Sequence, residues 1–260
     1  MKKILCSCSF LFIALFLFTQ NHLLLQIDSL EIPLCSASSD HEIRSFMNYT
    51  LCYRESYEQC EWAAYELTVQ ELEKKTERIN TFKIDPLIST GSAALEDYRS
   101  SQYDRGHMAP AADFLFDEEA MKETFFMSNM SPQDPSMNRG IWSRLEDEGR
   151  KLAKKYGRVF IITGPVLEKN TYKTIGINKV SVPEFFYKIF LSPVILEDGS
   201  YAVSVSAYCI PNSKTEKKFI DYECTVNELE KRCALDFFFK LDDELEEKIE
   251  SSLSAVISIK

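Results

Sequence analysis

The stretch QYDRGHMAPAADF, residues 102–114, sets His107 between Asp104-Arg105-Gly106 and Pro110. The chain has three histidines, and the other two, His22 and His41, lie near its N-terminus. His107 is therefore the one imidazole expected within the folded core. With an ordinary pKa of about 6.5, a neutral imidazole is a competent general base near neutral pH. The bland alternative is a buried structural histidine. The flanking residues suit a fixed base. The Asp-Arg-Gly segment reads as a turn, in which Gly106 would let the backbone bend where a side chain would obstruct it. Pro110 would restrict the chain just beyond.

A second constellation follows in NRGIWSRLEDEGRKLAKKYGR, 138–158. Ile141, Trp142, Leu145, Leu152 and Tyr156 recur at helical spacing and predict an amphipathic helix. Asn138 stands at its N-terminal end, where a short polar side chain also suits a cap. Glu146 flanks the apolar stripe, and Arg150 lies one turn beyond. Eight residues of helix rise about 12 Å, so Asn138 and Glu146 are too far apart to hold one ion directly. They can share its hydration shell, an arrangement that suits Mg²⁺, which keeps several waters beside few protein ligands.

These side chains need a frame. RVFIITGPVL, 158–167, is an apolar β-rich run closed by Gly164-Pro165 and reads as a buried strand. EFFYKIFLSPVIL and YAVSVSAYCI flank EDGS and read as two strands joined by a turn at Asp198-Gly199. CEWAAYELTVQEL, 60–72, reads as a strand or mixed segment. Thr225, three residues before Glu228, marks a capping-box helix start. Repeats and regular βαβ alternation are absent. The class expected is α+β, with helices around a mixed, mostly antiparallel sheet.

DRGHMAPAAD followed by SNMSPQDPSMNRGIWSRLE resembles the DNA/RNA non-specific endonuclease family, the ββα-metal (His-Me finger) nucleases that include the Serratia-type nuclease and endonuclease G. The resemblance runs from about Trp62 to Phe239, through WAAYEL, FKIDP, ITGPV, VPEFFYK and AYCIPN. It implies a Mg²⁺-dependent endonuclease, with Mn²⁺ as a substitute metal, acting on DNA and RNA. It further implies His107 as general base, Asn138 as the direct ligand of the metal, and Glu146 as its partner through water. Asn129 would support the site. Arg105, Arg150 and, on a looser alignment, Arg78 would contact phosphate, while Asp104 would organise the turn that presents His107. Nothing in the chain resembles a sequence-reading module, so contacts to phosphate and sugar imply little sequence preference.

Composition is that of an ordinary globular protein: 260 residues, 45% hydrophobic, 27% charged. The formal net charge of −10 argues weakly against long-range attraction to nucleic acid, although a local basic patch can act at contact range. Arg139, Arg144, Arg150, Lys151, Lys154, Lys155 and Arg158 gather along the 138–158 helix, and for the lysines a solvated face is the favoured reading. Lys2 and Lys3 precede an apolar run from Ile4 to Phe18, which reads as a signal peptide, the alternative being an uncleaved N-terminal membrane anchor. Residues 1–37 are assigned to that segment, with a cut after Ala37, and 38–260 to one endonuclease domain. Export to the periplasm or medium is the resulting expectation. The cysteines are read to match: Cys52 with Cys60, and Cys209 with Cys224 or Cys233, as disulfides of an oxidising compartment, the alternative being buried free thiols in a reducing cell.

The function expected is metal-dependent hydrolysis of phosphodiester bonds in DNA and RNA, with a protein inhibitor as a further partner. Two alternatives remain: a catalytically weak nucleic-acid-binding protein on the same scaffold, and an exported phosphodiesterase of small nucleotides. The presence together of His107, Asn138 and Glu146 speaks against the first. Relative rates on plasmid and dinucleotide separate the second.

Overall fold

The computed structural model describes residues 27, 29–34 and 38–259. The expected signal or anchor run, Cys35 and the cut after Ala37 lie outside the described residues. Among the described residues no helix is long and apolar enough to cross a membrane. Leu30 is buried, and Leu34 pairs with Asp236, so residues before position 37 contribute to the folded unit.

Eight strands form one antiparallel sheet. Its order is β1 (His41–Ser45), β2 (Thr50–Arg54), β3 (Gln59–Thr68), β6 (Arg158–Pro165), β9 (Phe185–Ile195), β10 (Tyr201–Pro211) and β11 (Glu223–Cys224), with β12 (Ala255–Ser258) also paired to β10. A β7 (Thr174–Ile175) and β8 (Val180–Ser181) pair stands apart. The central strands are apolar on both faces because both faces are covered. Tyr65, Leu67, Ile161, Phe186 and Phe190 point to one core, whereas Trp62, Ala64, Ile162, Tyr187 and Ile189 point to the other. Period-two alternation thus separates neighbours between two apolar layers rather than between core and water. Val226 and Leu229 of one C-terminal helix and Ile249 of another pack on the second core. The first takes Ile141, Trp142 and Leu145 of the long helix.

The site's own frame is a smaller unit laid against the first core. Strands β4 (Asp104–His107) and β5 (Met130–Gln133) pair antiparallel, with Asp104 opposite Gln133 and His107 opposite Met130. The chain between them forms α2 (Glu118–Glu123), preceded upstream of β4 by the short α1 (Leu95–Tyr98). After β5 come α3 (Pro135–Met137), a π-helical turn (Asn138–Trp142) and α4 (Ser143–Tyr156). Helices α5 (Val226–Cys233) and α6 (Asp243–Glu250) lie between β11 and β12.

The expected strands at 60–72, 158–167 and either side of Asp198-Gly199 are β3, β6, β9 and β10. Gly199 takes φ +81° in the turn, a left-handed backbone open to glycine. Thr225 caps α5 by accepting from the Glu228 N–H at 3.2 Å, and Glu228 accepts from the Thr225 N–H at 2.9 Å.

Three local expectations need correction. Asp104–His107 is a strand, not a turn. Gly106 is required for close approach instead, since a Cβ there would stand 2.0 Å from the Gln133 Oε1 atom. Asn138 does not cap its helix. The helix starts earlier, where Asp134 accepts from the Ser136 and Met137 N–H groups at 2.8 and 3.0 Å and Pro135 fills the first helical position. Finally, Cys60, Cys209, Cys224 and Cys233 are free thiols, so neither expected pairing forms. Cys52 lies opposite Trp62 and Cys60 opposite Tyr53, so the two sulfurs point into different cores on opposite faces of the sheet. A bridge would have to pass through the sheet. The Cys209 sulfur instead accepts from Arg232 Nη1 at 3.0 Å.

Candidate active site

His107 closes β4 and is 8% exposed. The Phe125 ring meets it edge-on at 4.9 Å and Phe82 packs at 5.8 Å. Its Nε2 is buried without a hydrogen-bond partner. Burial first, then the cations Arg78 and Arg105, push its pKa down to about 3, so the ring is neutral across the physiological range. Both arginines are held by aromatic faces. Arg105 lies 4.1 Å over Phe82 and Arg78 lies 5.3 Å over Phe125, the same rings that pack His107.

Asp104 opens the same strand and fixes the helix to it. Its Oδ2 accepts from Asn138 Nδ2 at 2.9 Å and from Arg139 Nε at 2.8 Å, while Oδ1 accepts from Arg139 Nη2 at 2.6 Å. Because Asn138 donates through its amide nitrogen, the amide orientation is set and its oxygen is left as an acceptor. That oxygen is a hard donor of the kind Mg²⁺ takes. Among the described residues no group of three or more His, Cys, Asp or Glu is arranged to hold a metal ion. An ion here would rest on the Asn138 amide oxygen and water.

Asn129, fully buried, supports the chain just beyond His107. Its amide nitrogen donates to the Ala109 and Thr124 carbonyls, both at 2.9 Å, and its oxygen accepts from the Ala109 N–H at 2.9 Å. All its strong hydrogen-bonding directions but one are thereby used, which fixes the backbone just beyond His107.

Glu146 sits half-buried on α4, among charges that sequence reading passed over. Lys188, 1% exposed on β9, holds its ammonium without a hydrogen-bond partner, 4.7 Å from the Trp142 ring. Asp113, also 1% exposed, accepts from the Tyr65 hydroxyl at 2.8 Å and from Arg150 Nη1 at 2.5 Å. Two carboxyls, Glu146 and Asp113, therefore face two cations, Lys188 and Arg150. Burial lifts the Glu146 pKa to about 7 against the pull of Lys188, and burial lowers Lys188 to about 8. Arg78 acts electrostatically on both His107 and Glu146, which ties the β4 and α4 sides of the site together. The missed residues carried signals. Lys188 is a lone charge in the apolar run FFYKIF, and Asp113 ends the DRGHMAPAAD block.

A strand pair carrying Asp104 and His107, followed by a helix carrying Asn138 and Glu146, is a ββα site. The sequence model of DNA/RNA non-specific endonucleases matches residues 29–244. This chain belongs to the DNA/RNA non-specific endonuclease family. Among its relatives, "Nuclease EXOG, mitochondrial" of Xenopus laevis is 35% identical over 215 residues, covering 77% of this chain and 59% of that protein. "Endonuclease G, mitochondrial" of Homo sapiens is 32% identical over 187 residues, covering 68% of this chain and 62% of that protein. The matched region thus spans about three-fifths of either relative's length. A solved structure of EndoG in complex with EndoGI superposes with a TM-score of 0.73 at 29% identity, over 84% of this chain and 91% of that one. These relatives overturn the expectation of export to the periplasm or medium, since both curated proteins are named as mitochondrial.

Proposed function

We propose that this member of the family is a nuclease that hydrolyses phosphodiester bonds of DNA and RNA with little sequence preference, using one Mg²⁺ ion. The observation that carries the reading is the neutral imidazole of His107, its buried Nε2 without a partner, beside Arg78 and Arg105 on the strand whose Asp104 clamps Asn138. The His107 imidazole accepts the proton of the attacking water. Its basicity is weak while two bare arginines face it. A phosphodiester anion between them offsets their charge, so substrate binding raises the base toward its working range. Arg78, Arg105 and Arg150 give planar donors to phosphate oxygens. Asn138 and, through water, Glu146 would hold Mg²⁺, or Mn²⁺ in its place, and the bound ion supplies charge for the phosphate and the leaving oxygen. Asn129 keeps the His107 strand in register. The relatives' names favour a mitochondrial setting, and the EndoG/EndoGI complex makes a protein inhibitor the second partner we propose.

Circular plasmid tests this reading, because it has no ends and its opening reports internal cuts. Cutting of plasmid, single-stranded DNA and RNA is expected with Mg²⁺ and is expected to cease in excess chelator. Undiminished cutting in chelator sinks the metal-dependent mechanism.

A further inference from the structure

Beyond Arg150, the exposed side of α4 has no part in the site described above, yet it forms one wall of a groove of about 470 Å³. Arg144, Arg150, Lys151 and Lys154 line it, with Leu72 and Phe219 from other segments, and Asp147 is its one acid. Residues 144, 147, 151 and 154 follow a three-four-three spacing, which sets them on one helix face. Asp113 also pairs with Arg150 and Glu148 with Lys151 just outside the lining, so the positive surface, on a chain of net charge −10, rests on Arg144 and Lys154. Asp147 is taken by Arg150 at 2.5 Å and Lys151 by Glu148 at 3.0 Å. Among the described residues Arg144 and Lys154 have no ion pair, and both are exposed. They are ten residues apart, or about 15 Å along the helix. That length accommodates several phosphates of one strand, at ~3.4 Å of axis each. Phe219 is half-buried, its ring perpendicular to Tyr208 at 5.4 Å.

We propose that this groove is a binding track for one strand of nucleic acid, with backbone phosphates along Arg144, Arg150 and Lys154 and a base stacked on Phe219. The proposal rests on the nuclease reading of the adjoining site and extends it. Arg150 provides the continuity: it lines the groove and also reaches Asp113 beside Glu146. A strand held here is delivered to the catalytic centre from one direction. Phosphate contacts and base stacking are both indifferent to sequence, which agrees with a non-specific substrate. An acidic polypeptide would meet the same cations but has no base to stack on Phe219.

The test is equilibrium binding of a labelled single-stranded oligonucleotide to the full chain in excess chelator, so that no cleavage intervenes. Wild type, the Arg144→Ala/Lys154→Ala double variant and Phe219→Leu are compared across a salt series. Leucine keeps an apolar contact with Tyr208 and removes the ring face. The double variant should bind more weakly, with its dependence of log affinity on log salt shallower by about 1.4, at ~0.7 per lost single-strand contact. Phe219→Leu should weaken binding at least about fivefold with little change in that slope, the lower end for one stacked base. Unchanged affinity and slope in the double variant overturn the track. So does a polyglutamate of matched charge that binds as tightly as the oligonucleotide and ignores Phe219→Leu. Plasmid cutting by wild type in Mg²⁺ is measured alongside. Persistent cutting with unaltered variant binding removes the track alone, whereas a wild type that cuts nothing removes the nuclease reading and leaves the binding comparison to decide the track.

Discussion

At His107 one imidazole answers to burial, two aromatic rings and two arginines, and each makes the cationic form costly. On the proposed mechanism, removing the ring should abolish the chemistry and spare ion binding at Asn138. His107→Ala is expected to lose at least ~10²-fold in turnover, the lower end for losing a general base, with no response to added Mg²⁺. Asn138→Ala should lose activity through weaker ion binding, so that raising Mg²⁺ partly restores it. Steady-state rates over a Mg²⁺ titration separate the two, and near-normal turnover in folded His107→Ala places the base elsewhere. The same residue also links stability to pH. Its folded pKa of about 3 lies below the unfolded value, so between pH ~6.5 and 3 the unfolded chain binds the extra proton. Its contribution is complete above pH ~6.5 and is lost as pH falls toward 3. In urea unfolding, the stability difference between wild type and His107→Ala should shrink from pH 7 to pH 4. A constant difference would show that the imidazole is not held neutral.

Among the elements, the segment from Asp134 to Tyr156 decides whether the two halves of the site meet. Asp134 caps its start, Pro135 sets the first turn, and the π-helical turn at Asn138–Trp142 shifts the register before α4 begins. One extra residue in that turn rotates Asn138 relative to Glu146, while Trp142 stays buried on the first core. Asp104 then ties the turn to β4 through Asn138 and Arg139. Loss of the cap should be felt along this chain of contacts. Asp134→Ala is expected to lower stability by about 1 kcal/mol, the usual cost of a lost N-cap. For a domain of this size the melting temperature should drop by roughly 2–4 °C. The Mg²⁺ requirement should rise with it, because the Asn138 turn is less firmly placed. A melting curve and Mg²⁺ titration identical to wild type would show that Pro135 and the packing hold the turn unaided.

For the whole molecule, the charge balance works against compactness at alkaline pH, and its focus is away from the site. Glu250 on α6 is 6% exposed with Oε1 unpartnered, and burial together with Glu230 and Glu246 pushes its pKa up to about 9. The folded chain holds this proton where the unfolded chain has released it. Stability is therefore lost as pH rises from ~4.5 to 9, opposite in sign to the His107 effect. Glu250→Gln should raise the melting temperature by a few degrees at pH 8, from at least ~1 kcal/mol, with the gain vanishing near pH 4. A variant no more stable than wild type at pH 8 would show that Glu250 ionises freely in the folded chain.

Local pattern was enough to determine β6, β9, β10, the cap of α5, the helix after Asn138, and the order of chemical groups along the chain, because each rests on periodicity or on spacing within one segment. The motif blocks likewise named His107 and Asn138 without any coordinates. Spacing misled where pairing across the sheet mattered: Cys52 and Cys60 are near in sequence, yet a register shift between Cys52 and Tyr53 and the pleat send them to opposite cores. Spacing also read a turn at Asp104–His107, where pairing with β5 extends the chain. The partnerships were beyond reach for a related reason. Lys188 joins Glu146 and Asp113 from 42 and 75 positions away, and Arg78 comes to His107 from 29 positions upstream, with no local periodicity to announce either. Burial depends on which layer covers which face. Only the packed sheet and helix could push the His107 pKa down to about 3 and that of Glu146 up to about 7.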